Sequence, residues 1–258
     1  MWDRAEAYDQ YMGRWSAAVA HALLDEVSLP RGGRCLDVGC GVGSLSRVVT
    51  DRLAPRDLVG IDSSDAFLGL AGRNLPHLRP VQADAGRLPF ATSAFDTAVS
   101  GLMLNFVPAP SRALAEITRV LRPGGVLLAY VWDYDYPDFF LARLWEGLAV
   151  VRGEAASGDE RGRWRLCTME GLTELVDGSG LVDVRIAPVV IETPFPNSDA
   201  LWEGFLLGVG PSGLAVQTLD PPTRERLRGW LDDQWPPAEE HGPVRLTARA
   251  LSLVAKRA

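Results

Sequence analysis

Cysteine and histidine are scarce in this sequence, and their scarcity excludes several kinds of site. The 258 residues include three cysteines and three histidines. Three cysteines are too few, and odd in number, for a disulfide framework, so we expect a protein of the reducing cytoplasm. No group of residues has the spacing of zinc ligands, so we predict no metal site.

Basic residues and long apolar runs are also lacking. The 26 lysines and arginines are outnumbered by 33 aspartates and glutamates, for a formal net charge of −7. Because an acidic surface repels phosphate backbones, we predict no nucleic acid partner. No apolar run approaches the ~20 residues that span a bilayer. The aromatic and charged residues 1–13 are not typical of a secretory signal, so we expect no membrane span.

The remaining composition is that of a globular protein with a core. Hydrophobic residues make up 47% of the chain and charged residues 23%. Residues 14–27 form the first predicted helix, because apolar side chains recur at every fourth position: Trp15, Val19, Leu23 and Val27.

Short apolar segments alternate with amphipathic ones through the first half of the chain. We predict strands at 34–38, 58–61, 95–104 and 126–132, with a further short strand before Asp84. Helices are predicted at 44–53, from about Ser64, and at 111–121. Strands and helices in alternation at this spacing predict βαβ units and a parallel sheet.

This rhythm changes after Trp132. Residues 133–165 contain no strand signal, and 193–243 are irregular apart from predicted helices at 198–207 and 223–231. A helix at 168–176 and strands at 182–192 and 244–255 complete the pattern. We interpret the irregular stretches as insertions that cover one end of the sheet, not as separate domains.

Glycines cluster directly after the first strand, in Leu36-Asp37-Val38-Gly39-Cys40-Gly41-Val42-Gly43-Ser44. A turn that passes closely under a ligand needs residues without a Cβ, and the helix that follows presents unpaired N–H groups there. Such a turn alone is weak evidence, because glycines often only make a turn. Ser44 stands where the dinucleotide-binding pattern has its third glycine.

Four further segments follow this turn in order. Gly60-Ile61-Asp62 ends the second strand, where a carboxylate can accept two hydrogen bonds from a ribose diol. NAD enzymes have an acid in the same place, and Asp62 can also simply cap the next helix. The other segments are Gln82-Ala83-Asp84-Ala85, Phe95-Asp96-Thr97-Ala98-Val99-Ser100 and Leu121-Arg122-Pro123-Gly124-Gly125-Val126-Leu127.

In this order the segments resemble the class I S-adenosylmethionine-dependent methyltransferases, particularly the bacterial type 11 branch that includes the quinone-biosynthesis C-methyltransferases. The resemblance covers about residues 34–132. It implies a doubly wound, Rossmann-like α/β fold, with a mostly parallel seven-stranded sheet whose last strand is antiparallel. It further implies one domain, with a lid helix (1–30), a cofactor-binding core (31–132) and acceptor-side insertions with the last strands (133–258).

The resemblance also implies S-adenosylmethionine as cofactor and S-adenosylhomocysteine as its product. It places Asp37 and the glycine turn beside the methionine portion, Asp62 and Ser63 at the ribose, and Asp84 and Ala85 at the adenine. The complete set of implied cofactor residues is Tyr11, Asp37, Gly39, Cys40, Gly41, Gly43, Asp62, Ser63, Asp84, Ala85, Ser100 and Gly101. Three aspartates at one sheet edge suit a sulfonium better than the pyrophosphate of NAD.

The sequence does not identify a catalytic base. Methyl transfer is an in-line displacement that needs alignment and exclusion of water, and a base only if the acceptor must lose a proton. The weak candidates are His241, Asp133, Tyr134 and Asn105. Asn105 stands where many relatives carry a histidine. An amide is not a strong base, but it can orient an acceptor.

The acceptor is predicted to be a small organic molecule. The Asp/Asn-Pro-Pro-Tyr segment of amino-directed DNA methyltransferases is absent, and no cysteine stands where a pyrimidine nucleophile is expected. Five aromatic residues either line an apolar acceptor pocket or pack the insertions: Trp145, Trp164, Phe195, Trp202 and Phe205. Two alternatives stay open, an inert S-adenosylmethionine-binding protein and an NAD-dependent oxidoreductase.

Overall fold

A seven-stranded β-sheet forms the centre of the molecule, in a computed structural model that describes residues 12–153, 165–235 and 242–258. The strand order is β3-β2-β1-β4-β5-β7-β6. β7 runs antiparallel to both of its neighbours, and the other paired strands are parallel. The strands are β1 Arg34–Val38, β2 Asp57–Asp62, β3 Leu78–Gln82, β4 Phe95–Gly101, β5 Leu121–Trp132, β6 Leu181–Phe195 and β7 Val244–Arg257.

Helices pack against this sheet. The helices of the described residues are α1 Arg14–Glu26, α2 Ser44–Leu53, α3 Asp65–Asn74, α4 Pro110–Val120, α5 Phe140–Arg152, α6 Met169–Val176, α7 Ser198–Leu206, α8 Gly210–Gln217 and α9 Pro221–Gln234. The apolar period of the first helix is confirmed, since Trp15, Val19 and Leu23 are buried. α4 has a proline in its first turn, where the missing N–H costs no hydrogen bond.

The order of the strands creates a switch point between β1 and β4. From β1 the chain winds outward through β2 to β3, and from β4 it winds the other way to β5. Because parallel crossovers are right-handed, the helices of these two halves lie on opposite faces of the sheet. A crevice forms where the direction reverses, at the carboxyl ends of the strands, and folds of this kind bind ligands there. The predicted doubly wound fold is confirmed.

β5 begins earlier than the predicted strand at 126–132. Leu121 already pairs with Phe95, and the next pair joins Val126 to Thr97. The five-residue advance on β5 against two on β4 makes a bulge that contains Pro123-Gly124-Gly125. These residues were expected only to stop the helix. In the structure they lie inside β5, which begins at Leu121, directly after the last residue of α4.

Two helices lie in stretches that were expected to be irregular. In α5, Phe140, Leu144 and Leu148 repeat every four residues and are fully buried. Because Leu141 and Trp145 are buried as well, the helix has no one-sided apolar stripe that would mark it in the sequence. α8 carries two glycines, which disfavour a helix by about 1 kcal/mol each, so tertiary packing decides its conformation.

β6 and β7 extend past the end of β5. The last pair of β5 with β7 joins Trp132 to Ala250, whereas β6 and β7 continue pairing to Phe195 and Val244. α5 packs on β7 and α9, and α7 packs on β6. The two strands therefore build a wall beside the carboxyl edge of β5.

Candidate active site

A cavity of about 630 Å³ opens at the switch point, against the carboxyl ends of β1, β2, β3 and β4. This volume is in the range of small-molecule sites. One part of its lining is polar: Gly39, Gly41, Asp62, Ser63, Ser64, Gln82 and Asp84. The other part is apolar: Leu102, Met103, Phe106, Val107 and Pro108, all from the segment that follows β4.

The glycine turn brings backbone against the cavity. Gly39 has φ +74°, and a Cβ built there would lie 2.2 Å from Cγ of Met103. Gly43 caps α2 with φ +91°, and its Cβ would lie 2.7 Å from Leu75. Both positions therefore require glycine for conformation and for space.

The N–H groups of the turn are largely used within the protein. Gly39 and Cys40 both donate to the carbonyl of Ile61 at 2.8 Å, and Gly43 donates to the carbonyl of Cys40 at 2.9 Å. Gly41 donates to Oδ2 of Asp62 at 3.0 Å. These four amides are therefore not free to bind an external phosphate, as they would be in a phosphate-binding turn.

Asp62 is fixed at the tip of β2 and lines the cavity. Its Oδ2 accepts from the Gly41 N–H, and its Oδ1 accepts from the Ser64 N–H at 2.9 Å. Burial raises the pKa of this carboxyl group, while the backbone hydrogen bonds act in the opposite direction. Each oxygen keeps a second lone pair for a ligand hydroxyl.

Asp37 lies deeper than its neighbours in the turn. Its side chain is fully buried and does not line the cavity. Ser46 of α2 donates to Oδ2 at 2.6 Å, whereas Oδ1 has no partner. Burial raises the pKa of this carboxyl group to about 7, against the hydrogen bond from Ser46 that lowers it. Such a site favours a positive charge nearby.

The third strand supplies the far wall. Asp84 is exposed at the cavity rim, and its Oδ1 accepts from the Gly86 N–H at 2.8 Å. Gln82 donates from Nε2 to the carbonyl of Ser63 at 3.0 Å, which ties β3 to the end of β2. Phe67, on the first turn of α3, adds a buried aromatic side to this wall.

The structure brings most of the predicted cofactor residues together. The members that line the cavity are Gly39, Gly41, Asp62, Ser63, Asp84, Ala85 and Gly101. Asp37, Cys40, Gly43 and Ser100 support the site from behind: Cys40 points its sulfur toward Gly60, and Ser100 donates to the carbonyl of Val38 at 2.8 Å. Tyr11 lies outside the described residues.

The geometry argues against Asp133 as a general base. It is 5% exposed, and its carboxylate accepts from Nε of Arg249 at 2.6 Å and from the Asp135 N–H at 3.0 Å. It does not line the cavity. The ion pair with Arg249 holds this acid against β7.

The other candidates differ in their surroundings. Tyr134 is 3% exposed and packs on Phe139, with ring centroids 5.8 Å apart, away from the cavity. Asn105 is 6% exposed, and neither its amide nitrogen nor its oxygen has a partner. His241 lies outside the described residues.

The aromatic residues considered for an acceptor pocket are packed inside the protein instead. Trp145, Phe195, Trp202 and Phe205 are all at most 8% exposed, and none lines the cavity. Three of these rings, those of Phe195, Phe205 and Trp202, form a chain of contacts through Phe140. Trp164 lies outside the described residues.

Sequence reasoning missed two aromatic residues that do line the cavity, Phe67 and Phe106. Phe106 directly follows Asn105, in the segment between β4 and α4. The spacing of both residues from the strand tips was a usable signal, because side chains just past those tips face the crevice.

The charge of the lining is one-sided. Among the described residues that line the cavity, Asp62 and Asp84 are acidic and none is arginine, lysine or histidine. Residues 12–153, 165–235 and 242–258, which the structure describes, contain no group of three histidine, cysteine or acidic side chains placed to hold a metal ion. They also contain no helix with the length and apolarity to cross a bilayer.

Comparison with known proteins agrees with this geometry. Residues 36–129 match a family described as Methyltransferase domain. A trans-aconitate 2-methyltransferase of Deinococcus radiodurans is 32% identical over 172 residues, which are 65% of this chain and 66% of that protein. A demethylmenaquinone methyltransferase of Renibacterium salmoninarum is 36% identical over 126 residues, 49% of this chain and 50% of that protein. The match therefore spans less than two-thirds of either relative.

A solved structure shares the fold across nearly the whole chain. A phosphoethanolamine N-methyltransferase of Haemonchus contortus, in complex with phosphomonomethylethanolamine and S-adenosylhomocysteine, superposes with a TM-score of 0.59 at 16% identity. The superposition covers 98% of this chain and 56% of that one. The segment 36–129 is thus similar to methyltransferase domains, and the sheet topology agrees with that likeness.

Proposed function

We propose that this chain binds S-adenosylmethionine in the cavity at the switch point and transfers its methyl group to a small organic acceptor. The observation that carries the proposal is the placement of Asp62. Its carboxylate is oriented by two backbone N–H groups and faces a cavity of cofactor size. A ribose diol is a fitting partner for such a carboxylate.

The charge of the site supports a sulfonium cofactor. Two carboxylates line the cavity, and the buried Asp37 behind it has an oxygen without a partner. The positive sulfonium and ammonium groups of S-adenosylmethionine would stabilise the ionised form of these carboxyl groups. The negative charges of a pyrophosphate would be repelled by the same carboxylates.

The glycine turn argues against the NAD alternative. Four of its amides are occupied within the protein, so they cannot cradle a pyrophosphate as a dinucleotide-binding turn does. No observation favours the oxidoreductase, and none favours an inert binding protein over an enzyme.

The chemistry asks little of the protein beyond placement. Bound S-adenosylmethionine supplies an electrophilic methyl group, and the electron pair of the broken S–C bond stays on sulfur. The residues of the chain hold the reactants in line, and the apolar segment after β4 limits water at the reacting atoms.

We also propose that the protein works as one domain in the cytoplasm, without nucleic acid. The three cysteines are free and buried, as suits a reducing compartment. The net charge of −7 disfavours a phosphate backbone. Residues 31–132 would hold the cofactor, and 1–30 and 133–258 would complete the lid and the acceptor side. In their described parts, neither region lines the cavity.

The substitution Asp62→Asn tests the proposal. Calorimetry should show that the wild type binds S-adenosylhomocysteine and that the variant binds it about 10- to 100-fold more weakly, as expected for lost hydrogen bonds to a charged group. Asp65→Asn is the control, because this exposed acid lies three residues away and does not line the cavity. Unchanged affinity in the Asp62 variant, or heat with NADH and none with S-adenosylhomocysteine, would contradict the proposal.

A further inference from the structure

The loop after β3 carries part of the cavity wall. Asp84 and Ala85 line the cavity just after the end of the strand, and the chain then turns, with a hydrogen bond from the Arg87 N–H to the Asp84 carbonyl at 2.9 Å. Inside this turn the Gly86 N–H donates to Oδ1 of Asp84 at 2.8 Å. A carboxylate that accepts from the amide two residues on is oriented by its own backbone. The direction of the Asp84 carboxylate therefore depends on where Gly86 is held.

Helix α4 holds this loop through a row of polar side chains. Arg112, Glu116 and Arg119 follow one another at intervals of four and three residues, so they share one face of the helix. Glu116 accepts from the Leu88 N–H at 2.8 Å, and Arg119 donates to the Leu88 carbonyl at 3.2 Å. Arg119 also pairs with Glu116, with Nε 2.7 Å from Oε1. This ion pair anchors the part of the loop that follows the turn.

Arg112 is the member of the row that reaches the turn itself. Its Nε donates to the Gly86 carbonyl at 2.8 Å. Its stem packs on the same residue, since a Cβ built on Gly86 would lie 3.5 Å from Cδ and 3.6 Å from Cγ of Arg112. Gly86 is thus held by its N–H to Asp84 and by its carbonyl to Arg112. Arg112 is exposed and does not line the cavity, so its hydrogen bond acts on a ligand through the turn.

The base of the cofactor is the group that would meet this carboxylate. Asp62, proposed to hold the ribose, ends β2, and the Ala83 N–H donates to its carbonyl at 3.1 Å. A base that is attached to that ribose and lies on the β3 side therefore reaches Asp84. A carboxylate accepts from the amino group at position 6 of adenine but repels the oxygen at position 6 of hypoxanthine. A carboxylate held in one direction makes this distinction more sharply than one that rotates.

We propose that Arg112 is a positioning residue for the cofactor base. It holds Gly86 by its carbonyl, Gly86 orients the Asp84 carboxylate, and that carboxylate selects a 6-aminopurine over a 6-oxopurine. The inference rests on the proposed function and deepens it, because it names what sets the preference for the base. Arg112 belongs to none of the sequence segments that carry the resemblance.

The test compares S-adenosylhomocysteine with S-inosylhomocysteine, which differs from it in the base alone. Calorimetry on the full chain should show that the wild type binds S-adenosylhomocysteine at least about tenfold more tightly, as expected for a hydrogen bond to a charged group. Arg112→Met keeps an unbranched stem over Gly86 and removes the donor. Its preference should fall to about threefold or less, while its affinity for S-inosylhomocysteine stays within about twofold of the wild type.

Arg112→Lys retains a donor and should restore most of the preference, which a merely structural role would not require. An unchanged preference in Arg112→Met, or an equal loss of affinity for both ligands, would overturn the inference. Arg31→Met is the matched control. Arg31 is also exposed and also donates to a backbone carbonyl, that of Arg52, but it lies just before β1 at the amino edge of the sheet. A loss of preference there as large as in Arg112→Met would equally overturn it.

A double variant tests whether Arg112 acts through Asp84. Asp84→Asn should abolish the preference, because an amide presents either a donor or an acceptor to the base. Adding Arg112→Met should then change the preference by less than about twofold, since both substitutions affect one carboxylate. A further threefold change, about that of Arg112→Met alone, would overturn the inference. If the wild type binds neither ligand, the proposed function fails; if it binds both equally, the proposed function stands and this inference fails.

Discussion

At the scale of single residues, Asp37 links the site to the pH dependence of stability. Burial raises its pKa from 3.8 to about 7 in the folded chain. Below pH 3.8 the group is protonated in both states and folding carries no penalty. As the pH rises toward 7, the unfolded chain releases the proton while the folded chain retains it, so stability falls across this interval.

Asp37→Asn should remove that loss while preserving the hydrogen bond to Ser46. We expect the free energy of unfolding of the wild type to fall more steeply between pH 4.5 and 7 than that of the variant. Urea denaturation over this pH range measures both. Parallel profiles would show that the carboxyl group is not the buried acid described here.

Gly39 combines two constraints that mutation can separate. Gly39→Ala places a methyl group against Met103 and at φ +74°. We expect a loss of stability of about 2–4 kcal/mol, because overpacking and left-handed strain add. The double variant Gly39→Ala/Met103→Ala relieves the collision and keeps the strain. Chemical denaturation should show partial recovery relative to Met103→Ala alone, and full recovery would mean that the backbone is unstrained.

The positions of the candidate site residues were predictable where they depend on local spacing. Asp62, Asp84 and the glycines follow strand ends, so the carboxyl edge of a parallel sheet brings them together. The partner of Asp133 was not predictable, because Arg249 lies 116 residues away in the chain. The burial of Asn105 likewise depends on packing that no local pattern encodes.

At the scale of elements, a tyrosine joins the N-terminal helix to the sheet. The hydroxyl of Tyr130 on β5 lies 2.8 Å from Oγ of Ser16 and donates to the Ser16 carbonyl at 3.0 Å. The same ring fills the space beside Gly101, where a Cβ would lie 2.6 Å from the hydroxyl. The contact fixes α1 against the strand end that lines the cavity.

Tyr130→Phe should destabilise the protein by about 1–3 kcal/mol, because buried hydrogen-bonding groups of Ser16 are left without the hydroxyl. Thermal unfolding measures the loss, and hydrogen exchange should place increased opening in α1. Ser16→Ala is the matched variant, since it removes one of the two contacts and should cost less. A larger loss in Ser16→Ala would contradict this order.

Elements with a clear apolar period were predicted and found. α1, α2 and α4 follow their stripes within a few residues, because burial of one face decides a surface helix. α5 and α8 were missed for opposite reasons: the first is apolar on most sides, and the second has poor intrinsic propensity. α5 packs on β7, and α8 packs on α5 and α7; these are tertiary contacts that no local pattern encodes.

At the scale of the whole molecule, β6 is the long edge strand of the sheet, and among the described strands it pairs only with β7. The strand is 15 residues long and exposes Val182, Val184 and Val190. Exposed edges invite pairing with another chain. Pro188 and Pro194 lie in the strand while it stays paired with β7, so their missing N–H groups reduce the number of hydrogen-bond donors that the edge presents to another chain.

Replacing both prolines by threonine should restore donors to this edge. We expect the double variant Pro188→Thr/Pro194→Thr to self-associate more strongly than the wild type, by a few-fold in apparent association constant. Sedimentation velocity at several concentrations compares them, with a single exposed substitution, Val190→Thr, as the control. Equal profiles for the double variant and the wild type would show that the prolines do not protect the edge.

We propose that the crevice at the switch point holds S-adenosylmethionine through Asp62. The decisive measurement is a crystal structure grown with S-adenosylhomocysteine. We expect ligand density between Gly39 and Asp84, with both ribose hydroxyls within hydrogen-bond distance of the Asp62 carboxylate. Density at another site, or a ribose turned away from Asp62, would contradict it.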